Sequence, residues 1–454
     1  MTPIDEGIFR AYDIRGRVGE QIRPDVVRRI AQAYASRYAG KAGATLVVSR
    51  DLRESSAELA EAVTEGVLST GVDVVDVGQA PTPLLYLAIG LWGFDGGIGV
   101  TASHLPPTQN GMKVRRGDGP FYGDDLQALK EEVLRGDFAT GSGTYSRRDV
   151  YPEFFRLIAQ QVHMARPVKV VLDLGNGCGT LTAPRALREI GCEVITLFEE
   201  PDGTFPGRGP DPTLAGAMDA LRAKVLETGA ELGIAIDADG DRIAVIDHLG
   251  EVAQPDLYMI PLCRARLAEG PATMVSEVRC SQSIVDDIRD HGGEVELVPV
   301  GYPFILTAMR EVNSPIGFET TGHCYFDDPY FKFDDATYAA ARLLAVLSRT
   351  DETLHDIIAS APVYYPAEPP RVECSDERKF ALVAEVADHF RGMYPLIETD
   401  GVRVQYPDGW SVLRASNTAG ELVMRWEGKT PEARDRIGEE LMAEVRKAKA
   451  SGEC

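Results

Sequence analysis

The chain has 454 residues, of which 44% are hydrophobic, and at roughly 100–200 residues per domain we expect about three or four domains. Its formal net charge of −23, from 47 basic and 70 acidic residues, argues against nucleic acid and anionic membranes as partners. No run of about 18 apolar residues and no apolar leader is found, so the sequence predicts a cytoplasmic protein without a membrane span.

The acidic charge and the cysteines set two further expectations. An anionic ligand would need arginines and lysines that converge locally, because charges more than about 8 Å away are largely screened. The 7 cysteines are scattered and form no Cys-x-x-Cys pair. They therefore indicate reduced thiols, with neither a disulfide framework nor a zinc site.

One pattern recurs three times along the chain. An apolar strand is followed by a polar or Gly-rich loop, an amphipathic helix, a closing glycine and a second strand. The copies run from Ala44 to Gly78, from Val168 to Leu197 and from Ala272 to Gly301. Strand, helix and strand at this length predict βαβ units and parallel pairing. The chain is therefore expected to contain three similar α/β domains.

The last part of the chain has a different pattern. A helical segment after Arg371 is followed by short strands and by a second helix from Pro431. This order predicts a smaller α+β domain at the C-terminal end. The expected domains are 1–147, 148–252, 253–366 and 367–454.

The most informative motif is GIAIDADGDRIAVID, from Gly233 to Asp247. An apolar strand leads into Asp237, Asp239 and Asp241 around the Gly240 turn, and a second apolar strand follows. Carboxylates this close repel one another unless a hard divalent cation lies between them. A solvated acidic turn is the alternative, but the apolar flanks favour a metal site at the end of a buried strand. Mg²⁺ fits best, since it keeps positions open for water or phosphate oxygen.

A second motif, GGIGVTASH, is a strand that leads into Ser103. A serine is a weak nucleophile unless a base removes its proton or it is already modified, and His104 and Lys113 are the nearby candidates. The alternative is a Thr/Ser-rich turn with a hydrogen-bonded histidine. The Gly-x-Ser-x-Gly elbow of hydrolases is absent from this loop.

The third motif is GFETTGHCYF, with Glu319, Thr321 and His323 at alternate positions. An extended segment would direct all three side chains to one side, where they could bind sugar hydroxyls. A polar edge strand is the alternative interpretation.

The fourth motif is WSVLRASNTAGEL. Its polar residues are Arg414, Ser416, Asn417 and Thr418. The guanidinium group matches phosphate geometry, and the turn adds hydroxyl, amide and backbone donors. An Asn-centred turn after a strand is the alternative.

These four motifs, in this order, resemble the α-D-phosphohexomutase superfamily. FRAYDIRG, from Phe9 to Gly16, and DLGNGCG, from Asp173 to Gly179, extend the resemblance over nearly the whole chain. The resemblance implies an α/β protein with three similar, mixed-sheet, βαβ-containing domains and a smaller C-terminal α+β domain. The domains are expected to surround a central cleft, with one loop contributed by each.

The resemblance also implies a reaction. Phospho-Ser103 would transfer its phosphoryl group to a hexose 1- or 6-phosphate, and the resulting hexose 1,6-bisphosphate would turn around and phosphorylate Ser103 again. Magnesium would be bound by Asp237, Asp239, Asp241 and the phosphorylated Ser103. The implied catalytic residues are Ser103, His104, Lys113, His323 and Arg15. The implied substrate-binding residues are Arg242, Arg279, Glu319, Thr321, Arg414, Ser416, Asn417 and Thr418.

Several positions depart from the family pattern, among them Leu105 within the serine loop, Phe318 at the start of the sugar loop and Ala419-Gly420 after the threonine of the phosphate loop. They leave the sugar open, with mannose and glucose phosphates preferred and glucosamine phosphate the alternative. A phosphatase with Asp237 as nucleophile and a non-catalytic sugar-phosphate-binding protein are further alternatives. The expected partners are small hexose phosphates, and the expected assembly is a monomer or homodimer.

Overall fold

The computed structural model describes residues 3–327, 333–367, 369–416 and 420–450. In the first part of the chain the strands are β1 (Ile14–Arg17), β2 (Thr45–Arg50), β3 (Asp73–Gln79), β4 (Gly96–Val100), β5 (Gln109–Arg116), β6 (Gly119–Pro120) and β7 (Tyr145–Arg147). The helices there are α1 (Pro24–Ser36), α2 (Ser56–Leu68), α3 (Thr82–Trp92) and α4 (Asp124–Arg135).

The second part has helices α5 (Tyr151–Gln161), α6 (Ala183–Glu189) and α7 (Asp219–Thr228). Its strands are β8 (Lys169–Asp173), β9 (Glu193–Leu197), β10 (Leu232–Ile236), β11 (Ile243–Asp247) and β12 (Val252–Ala253). The third part has strands β13 (Thr273–Glu277), β14 (Glu294–Val298), β15 (Ile316–Phe318) and β16 (Cys324–Phe326). Its helices are α8 (Pro255–Tyr258), α9 (Ile260–Leu267), α10 (Gln282–Asp290), α11 (Tyr302–Glu311), α12 (Ala336–Leu347) and α13 (Leu354–Ala359).

The last part has strands β17 (Tyr365–Pro366), β18 (Val372–Glu373), β19 (Leu396–Ile397), β20 (Val402–Tyr406), β21 (Gly409–Ala415) and β22 (Glu421–Gly428). Its helices are α14 (Lys379–Phe390) and α15 (Pro431–Ala450). The chain divides into two compact units. One consists of Met1–Pro255 and Thr321–His355, and the other of Asp256–Thr320 and Asp356–Cys454.

The three predicted βαβ units are present. Strand β2 pairs in parallel with β3, β8 with β9 and β13 with β14, each pair being joined through α2, α6 or α10. The glycine between helix and second strand has a positive φ in each copy, 89° at Gly71, 103° at Gly191 and 82° at Gly292. Side chains with a Cβ disfavour this conformation, which explains why the sequence places glycine there.

The first sheet has the order β1-β5-β4-β2-β3-β7, and β6 pairs with β5 at the side. Strands β2, β3 and β4 are parallel, whereas β5 runs antiparallel to both β4 and β1. The apolar faces of α1, α2 and α4 pack on this sheet and form one buried core. Because β4 and β5 are adjacent and antiparallel, Gly99 lies opposite Lys113, next to the start of the serine loop.

The second sheet has the order β12-β11-β10-β8-β9. Its centre is the antiparallel hairpin of β10 and β11, which places the aspartate motif in the connecting turn. The turn leans on the DLGNGCG segment: Cys178 N donates to Ala238 O at 2.8 Å, and a Cβ at Gly177 would lie 2.8 Å from the Ala238 Cα. Glycine at 177 is therefore required by the close approach of the two backbones.

In the second compact unit, β13 pairs in parallel with β14 and β15. The C-terminal sheet β17-β22-β21-β20-β19, to which β18 adds at β22, is antiparallel throughout. Helices α14 and α15 pack on it, as the α+β prediction required. Arg403, which is 0% exposed, donates to Val278 O and Cys280 O at 2.7 Å each and so ties β20 to the loop after β13.

The cysteine prediction is partly wrong. Buried free thiols are present at Cys178, Cys192, Cys263, Cys280 and Cys324. Cys374, in contrast, is disulfide-bonded, and spacing along a sequence does not reveal such pairing. None of the helices in the described part of the chain combines the length and the apolar character needed to cross a membrane.

Candidate active site

The three aspartates of the DADGD turn form a buried carboxylate cluster. Asp237 and Asp239 are 0% exposed and Asp241 is 1% exposed. Each offers a ligand oxygen, and these oxygens lie within 4.8 Å of one another. Asp237 Oδ2, Asp239 Oδ1 and Asp241 Oδ1 are buried without a hydrogen-bond partner. Three converging oxygens without donors fit a hard divalent cation, which prefers oxygen ligands.

The other oxygens of the cluster are already bonded. Lys113 Nζ donates to Asp239 Oδ2 at 2.7 Å and to Asp241 Oδ2 at 2.5 Å. Asp237 Oδ1 accepts from the backbone N–H of Asp241 and of Arg242, both at 3.1 Å. Hydrogen bonds from Lys113 and from the turn's backbone thus fix one oxygen of each carboxylate and leave the second available.

The ionisation of the cluster follows from burial and crowding. Burial and the carboxylates of Asp241 and Asp239 raise the pKa of Asp237 well above its ordinary value. Burial acts in the same direction on Asp239 and Asp241, but Lys113 outweighs it and the pKa of both carboxyls is lowered. Burial lowers the pKa of the Lys113 ammonium, but the carboxylates of Asp239 and Asp241 outweigh burial and raise this pKa well above its usual value.

A threonine at the start of α3 anchors the turn. Thr82 Oγ1 donates to Asp239 Oδ2 at 2.6 Å, and Thr82 N donates to Asp239 O at 2.9 Å. Gly240 has a φ of 77°, the left-handed conformation that favours glycine. The first and second parts of the chain therefore both contribute to the carboxylate cluster, through Thr82 and Lys113 on one side and the DADGD turn on the other.

Ser103 follows β4 in a constrained turn. It is 2% exposed, and its φ of 51° is left-handed, which is uncommon for a residue with a Cβ. Its N–H donates to Thr101 Oγ1 at 2.9 Å, and its Oγ lies 3.2 Å from His104 Nδ1. Strained backbone of this kind persists only where the surroundings impose it, and it occurs mainly at functional sites.

Arg15 and His104 share the electrostatic environment of this region. Burial, together with the positive charges of Arg242 and Arg15, lowers the pKa of His104 to about 3. The imidazole is therefore neutral at physiological pH. Arg15, on β1, donates to Asp13 Oδ1 through Nε at 2.7 Å, and its charge also interacts with Asp239.

His323 lies beside the carboxylate cluster. Its Nε2 accepts from Arg242 Nε at 2.8 Å, and its Nδ1 lies 2.6 Å from Asp334 Oδ2. Nδ1 is also 3.8 Å from Asp241 Oδ1. A carboxylate at ion-pair distance from one imidazole nitrogen stabilises the protonated ring, as in catalytic histidine–carboxylate pairs.

The predicted extended segment through Glu319, Thr321 and His323 is wrong. Strand β15 ends at Phe318, and the chain turns through Gly322, whose φ is 92°. A left-handed residue breaks the alternation of a strand, so the three side chains do not follow a strand's two-residue repeat. Thr321 Oγ1 is nevertheless buried without a hydrogen-bond partner, as a ligand-binding hydroxyl would be.

In the second compact unit, Arg279 is held by a carboxylate that the sequence did not single out. Its N donates to Glu277 Oε2 at 2.6 Å and its Nη2 lies 2.9 Å from Glu277 Oε1. Burial lowers the pKa of this guanidinium, but the charges of Glu277 and Glu319 outweigh burial and raise it. Glu319 is 4% exposed and follows β15 directly.

The described part of the phosphate loop keeps a free donor. Arg414 Nε donates to Asp400 Oδ2 at 2.8 Å, while Nη2 is buried without a partner. Ser416 is 5% exposed, and its carbonyl accepts from Lys379 Nζ at 2.7 Å. The predicted site residues Asn417 and Thr418 lie outside the described residues.

Sequence reasoning missed the supporting residues Asp13, Thr82, Glu277, Asp334 and Asp400. Four of them are carboxylates, and each orients an arginine or histidine side chain that the sequence predicted for the site. Hydrogen bonds around a functional group commonly have this role. Asp334 immediately precedes Asp335, which caps α12 by accepting from Tyr338 N at 2.9 Å. In the sequence the acidic pair is compatible with an ordinary helix start, and only the fold brings Asp334 to His323.

The sheets, the buried carboxylate triad and the buried serine turn in the same unit define an α/β enzyme with a site for a divalent cation. Four models of the phosphoglucomutase/phosphomannomutase family match in succession. Alpha/beta/alpha domains I, II and III match residues 6–140, 152–250 and 254–365, and the C-terminal domain matches 371–444. The chain belongs to this family and is a phosphohexomutase with the family's four-domain, mixed α/β architecture.

Known proteins resemble the chain over nearly its full length. The phosphomannomutase/phosphoglucomutase of Pseudomonas aeruginosa is 35% identical over 432 residues, 95% of this chain and 93% of its own. The phosphoglucomutase of Neisseria meningitidis is 34% identical over 453 residues, covering 98% of each chain. The crystal structure of a phosphoglucomutase/phosphomannomutase family protein from Burkholderia thailandensis is 34% identical, covers 99% of each chain and has a TM-score of 0.93.

Proposed function

We propose that this phosphohexomutase interconverts the 1- and 6-phosphates of mannose and glucose through phospho-Ser103 and a hexose 1,6-bisphosphate. The observation that carries the proposal is the pairing of β4 with β5. Strand β4 leads to the strained, buried Ser103, and β5 extends Lys113 into the carboxylate triad. Adjacent strands would thus bring the phosphoryl carrier and the Lys113 ammonium to the cation site on the turn between β10 and β11.

The first transfer moves one phosphoryl group. The free hydroxyl oxygen of the hexose phosphate bonds to the phosphorus of phospho-Ser103, the P–Oγ bond breaks, and its electron pair stays on Oγ. His323 Nε2 takes the hydroxyl proton once Arg242 turns to the substrate phosphate, and Asp334 stabilises the imidazolium. The ammonium of Lys113 would supply the proton to Oγ, which lies 3.2 Å from His104 Nδ1.

The second transfer reverses these proton movements. Ser103 Oγ bonds to the other phosphorus of the bisphosphate, its proton returns to Lys113, and His323 returns a proton to the departing sugar oxygen. The enzyme ends each cycle with Ser103 phosphorylated and with both proton carriers restored. The bisphosphate is therefore an intermediate and, when added in trace amounts, an activator that phosphorylates Ser103.

Asp237, Asp239 and Asp241 would hold Mg²⁺ together with an oxygen of phospho-Ser103. Their three oxygens without donors support this assignment, as hard carboxylate ligands suit Mg²⁺. When bound, the ion withdraws charge from the transferring phosphoryl group.

The remaining predicted residues are proposed to bind substrate. Arg414, Ser416, Asn417 and Thr418 would hold the phosphate that does not react, for which Arg414 Nη2 is an available donor. Glu319 and Thr321 would bind sugar hydroxyls. Arg15, Arg242 and Arg279 would add positive charge. An acidic protein needs such basic side chains close to an anionic ligand, because more distant charges are screened.

A coupled assay with Mg²⁺ and a trace of glucose 1,6-bisphosphate tests the proposal directly. Mannose, glucose and glucosamine 1-phosphates are compared at equal concentration, and we expect turnover of mannose and glucose phosphates. Preference for glucosamine phosphate would identify a phosphoglucosamine mutase instead. Release of inorganic phosphate without isomerisation would support a phosphatase, and binding without turnover a sugar-phosphate-binding protein.

We also propose that the protein is cytoplasmic and is a monomer or homodimer. Its domains would span residues 1–147, 148–252, 253–366 and 367–454. Its partners would be hexose phosphates only. A cytoplasmic location suits these substrates, because doubly charged sugar phosphates do not cross a bilayer unaided.

A further inference from the structure

One buried arginine, Arg53, donates hydrogen bonds to the loop that carries Ser103. Arg53 lies in the loop between β2 and α2, and its side chain is 0% exposed. Its Nη2 donates to Ser103 O and to Leu105 O at 2.6 Å each. Its Nη1 donates to Pro106 O at 2.8 Å and to Gln109 O at 3.2 Å.

A buried carboxylate fixes the guanidinium in turn. Arg53 Nε donates to Asp51 Oδ2 at 3.0 Å, and the backbone N–H of Arg53 donates to Asp51 Oδ1 at 3.0 Å. The Phe205 ring lies 5.2 Å from the guanidinium carbon and covers it. All five N–H groups of the guanidinium are therefore used: three donate to the serine loop, one to Gln109 at the start of β5 and one to Asp51.

The composition of the loop explains why it depends on hydrogen bonds from a side chain outside it. Pro106 and Pro107 have no N–H, so this part of the loop can form few backbone hydrogen bonds of its own. Pro106 O accepts from Gln109 N at 3.0 Å, and Arg53 supplies further donors to the carbonyls of Ser103, Leu105 and Pro106. The same loop holds Ser103 at a φ of 51°, which the surroundings must impose.

We propose that Arg53 is a positioning residue for phosphoryl transfer: it holds Ser103 in its left-handed conformation and so fixes the direction of Oγ. The inference rests on the proposed role of phospho-Ser103. Arg53 directs all of its donors to the protein, so it acts through the serine loop and leaves substrate affinity to other residues. The Leu105 departure from the family pattern is compatible with these hydrogen bonds, because the contact is made by the Leu105 carbonyl.

The test compares Arg53→Lys with the wild-type enzyme. Lysine keeps the positive charge, but its single nitrogen cannot reach four separated carbonyls and a carboxylate. Arg29→Lys is the matched control, because Arg29 lies in the same part of the chain and donates to Val133 O at 2.9 Å, away from the serine loop. Each protein is phosphorylated with glucose 1,6-bisphosphate and mixed with glucose 1-phosphate in a single turnover.

We expect the rate of transfer from phospho-Ser103, per folded and phosphorylated molecule, to fall about 100-fold in Arg53→Lys, as for a nucleophile displaced by about 1 Å. The KM for glucose 1-phosphate should remain that of the wild type. Arg29→Lys should transfer at the wild-type rate. A purely structural role would lower the melting temperature but leave the rate per folded molecule unchanged, and that result would overturn the inference.

A second variant covers the case in which Arg53→Lys does not fold. Asp51→Asn leaves Arg53 in place but weakens the contact that orients it, and we expect a smaller loss of transfer rate, about tenfold. A wild-type rate in folded Asp51→Asn would then contradict the inference. If wild-type protein takes no phosphate on Ser103 from glucose 1,6-bisphosphate, the proposed function itself fails, before any variant is compared.

Discussion

Lys113 Nζ donates to Asp239 Oδ2 at 2.7 Å and thereby reaches from the serine-loop sheet into the carboxylate triad. Its ammonium offsets part of the charge that Asp237, Asp239 and Asp241 bury together. Without the lysine, and without a bound cation, three buried carboxylates would face one another, which is strongly destabilising. The stability of this region should therefore depend on the Lys113 charge and on a bound cation, together with Arg242, whose Nε lies 3.9 Å from Asp237 Oδ2.

Lys113→Met should make stability depend strongly on Mg²⁺. The variant should lose about 3–5 kcal/mol of unfolding free energy in EDTA, because it leaves uncompensated buried charge. Saturating Mg²⁺ should restore more stability to the variant than it adds to the wild type, since the ion binds only the folded state. Differential scanning calorimetry with and without Mg²⁺ measures both effects. Equal Mg²⁺-induced shifts of the melting temperature in the two proteins would show that Lys113 and the ion do not compensate the same carboxylate charge.

Asp239→Asn should weaken the cation site. The amide keeps the size of the side chain but removes a negative charge and presents N–H groups where Lys113 and Thr82 already donate. We expect kcat to fall by about 10²–10³-fold, the scale of losing several kcal/mol of charge stabilisation, and half-saturating Mg²⁺ to rise. Steady-state kinetics over a Mg²⁺ series provides the measurement. Asp202→Asn is the control, because this half-buried turn aspartate accepts from Thr204 N, and an unchanged Mg²⁺ dependence in Asp239→Asn would remove this residue from the metal site.

Arg414→Lys should affect substrate binding more than the chemical step. Arg414 donates to Asp400 through Nε and keeps Nη2 free, whereas a lysine cannot place two donors in this way. We expect KM for hexose phosphates to rise about tenfold, as for the loss of one charge-assisted hydrogen bond, with kcat little changed. Arg391→Lys, an exposed ion-pair variant in the same domain, should retain the wild-type KM. A loss confined to kcat would assign Arg414 to the chemical step instead.

The buried thiols predict a pH dependence. Burial raises the pKa of Cys192 and of Cys280 to about 12. Above the ordinary thiol pKa of about 8.5 the unfolded chain loses these protons while the folded chain keeps them, so stability should fall as pH rises past this value. Reaction of the native protein with dithiodipyridine at pH 8 should be very slow at both positions and fast after unfolding. Rapid labelling of native Cys280, located by peptide mass spectrometry, would contradict the assigned burial.

Local patterns in the sequence were sufficient to predict part of the fold and part of the candidate site. The βαβ repeats and the DADGD turn are contiguous in sequence, so periodicity and carboxylate spacing predicted them, and β10 and β11 flank the turn as expected. The same holds for Ser103 at the end of a buried strand. Each of these features depends on residues that are neighbours along the chain.

Other parts depend on residues that are remote in sequence. His323 meets Asp334, Lys113 meets Asp239, and Arg53 meets the serine loop only after folding. The predicted strand through the sugar loop failed because of Gly322, whose left-handed backbone turns the chain. A glycine in a polar run is compatible with either a strand or a turn, and tertiary packing decides between them.

Ser103 as the proposed phosphoryl carrier can be tested by direct labelling. Wild type, Ser103→Ala and Asp237→Asn are incubated with Mg²⁺ and glucose 1,6-bisphosphate labelled with ³²P, and the labelled residue is identified by peptide mass spectrometry. We predict acid-stable label on Ser103 in the wild type, and in Ser103→Ala neither label nor sustained turnover, although glucose 1-phosphate still binds. Wild-type turnover by Ser103→Ala, or a base-labile acyl phosphate on Asp237, would contradict the account.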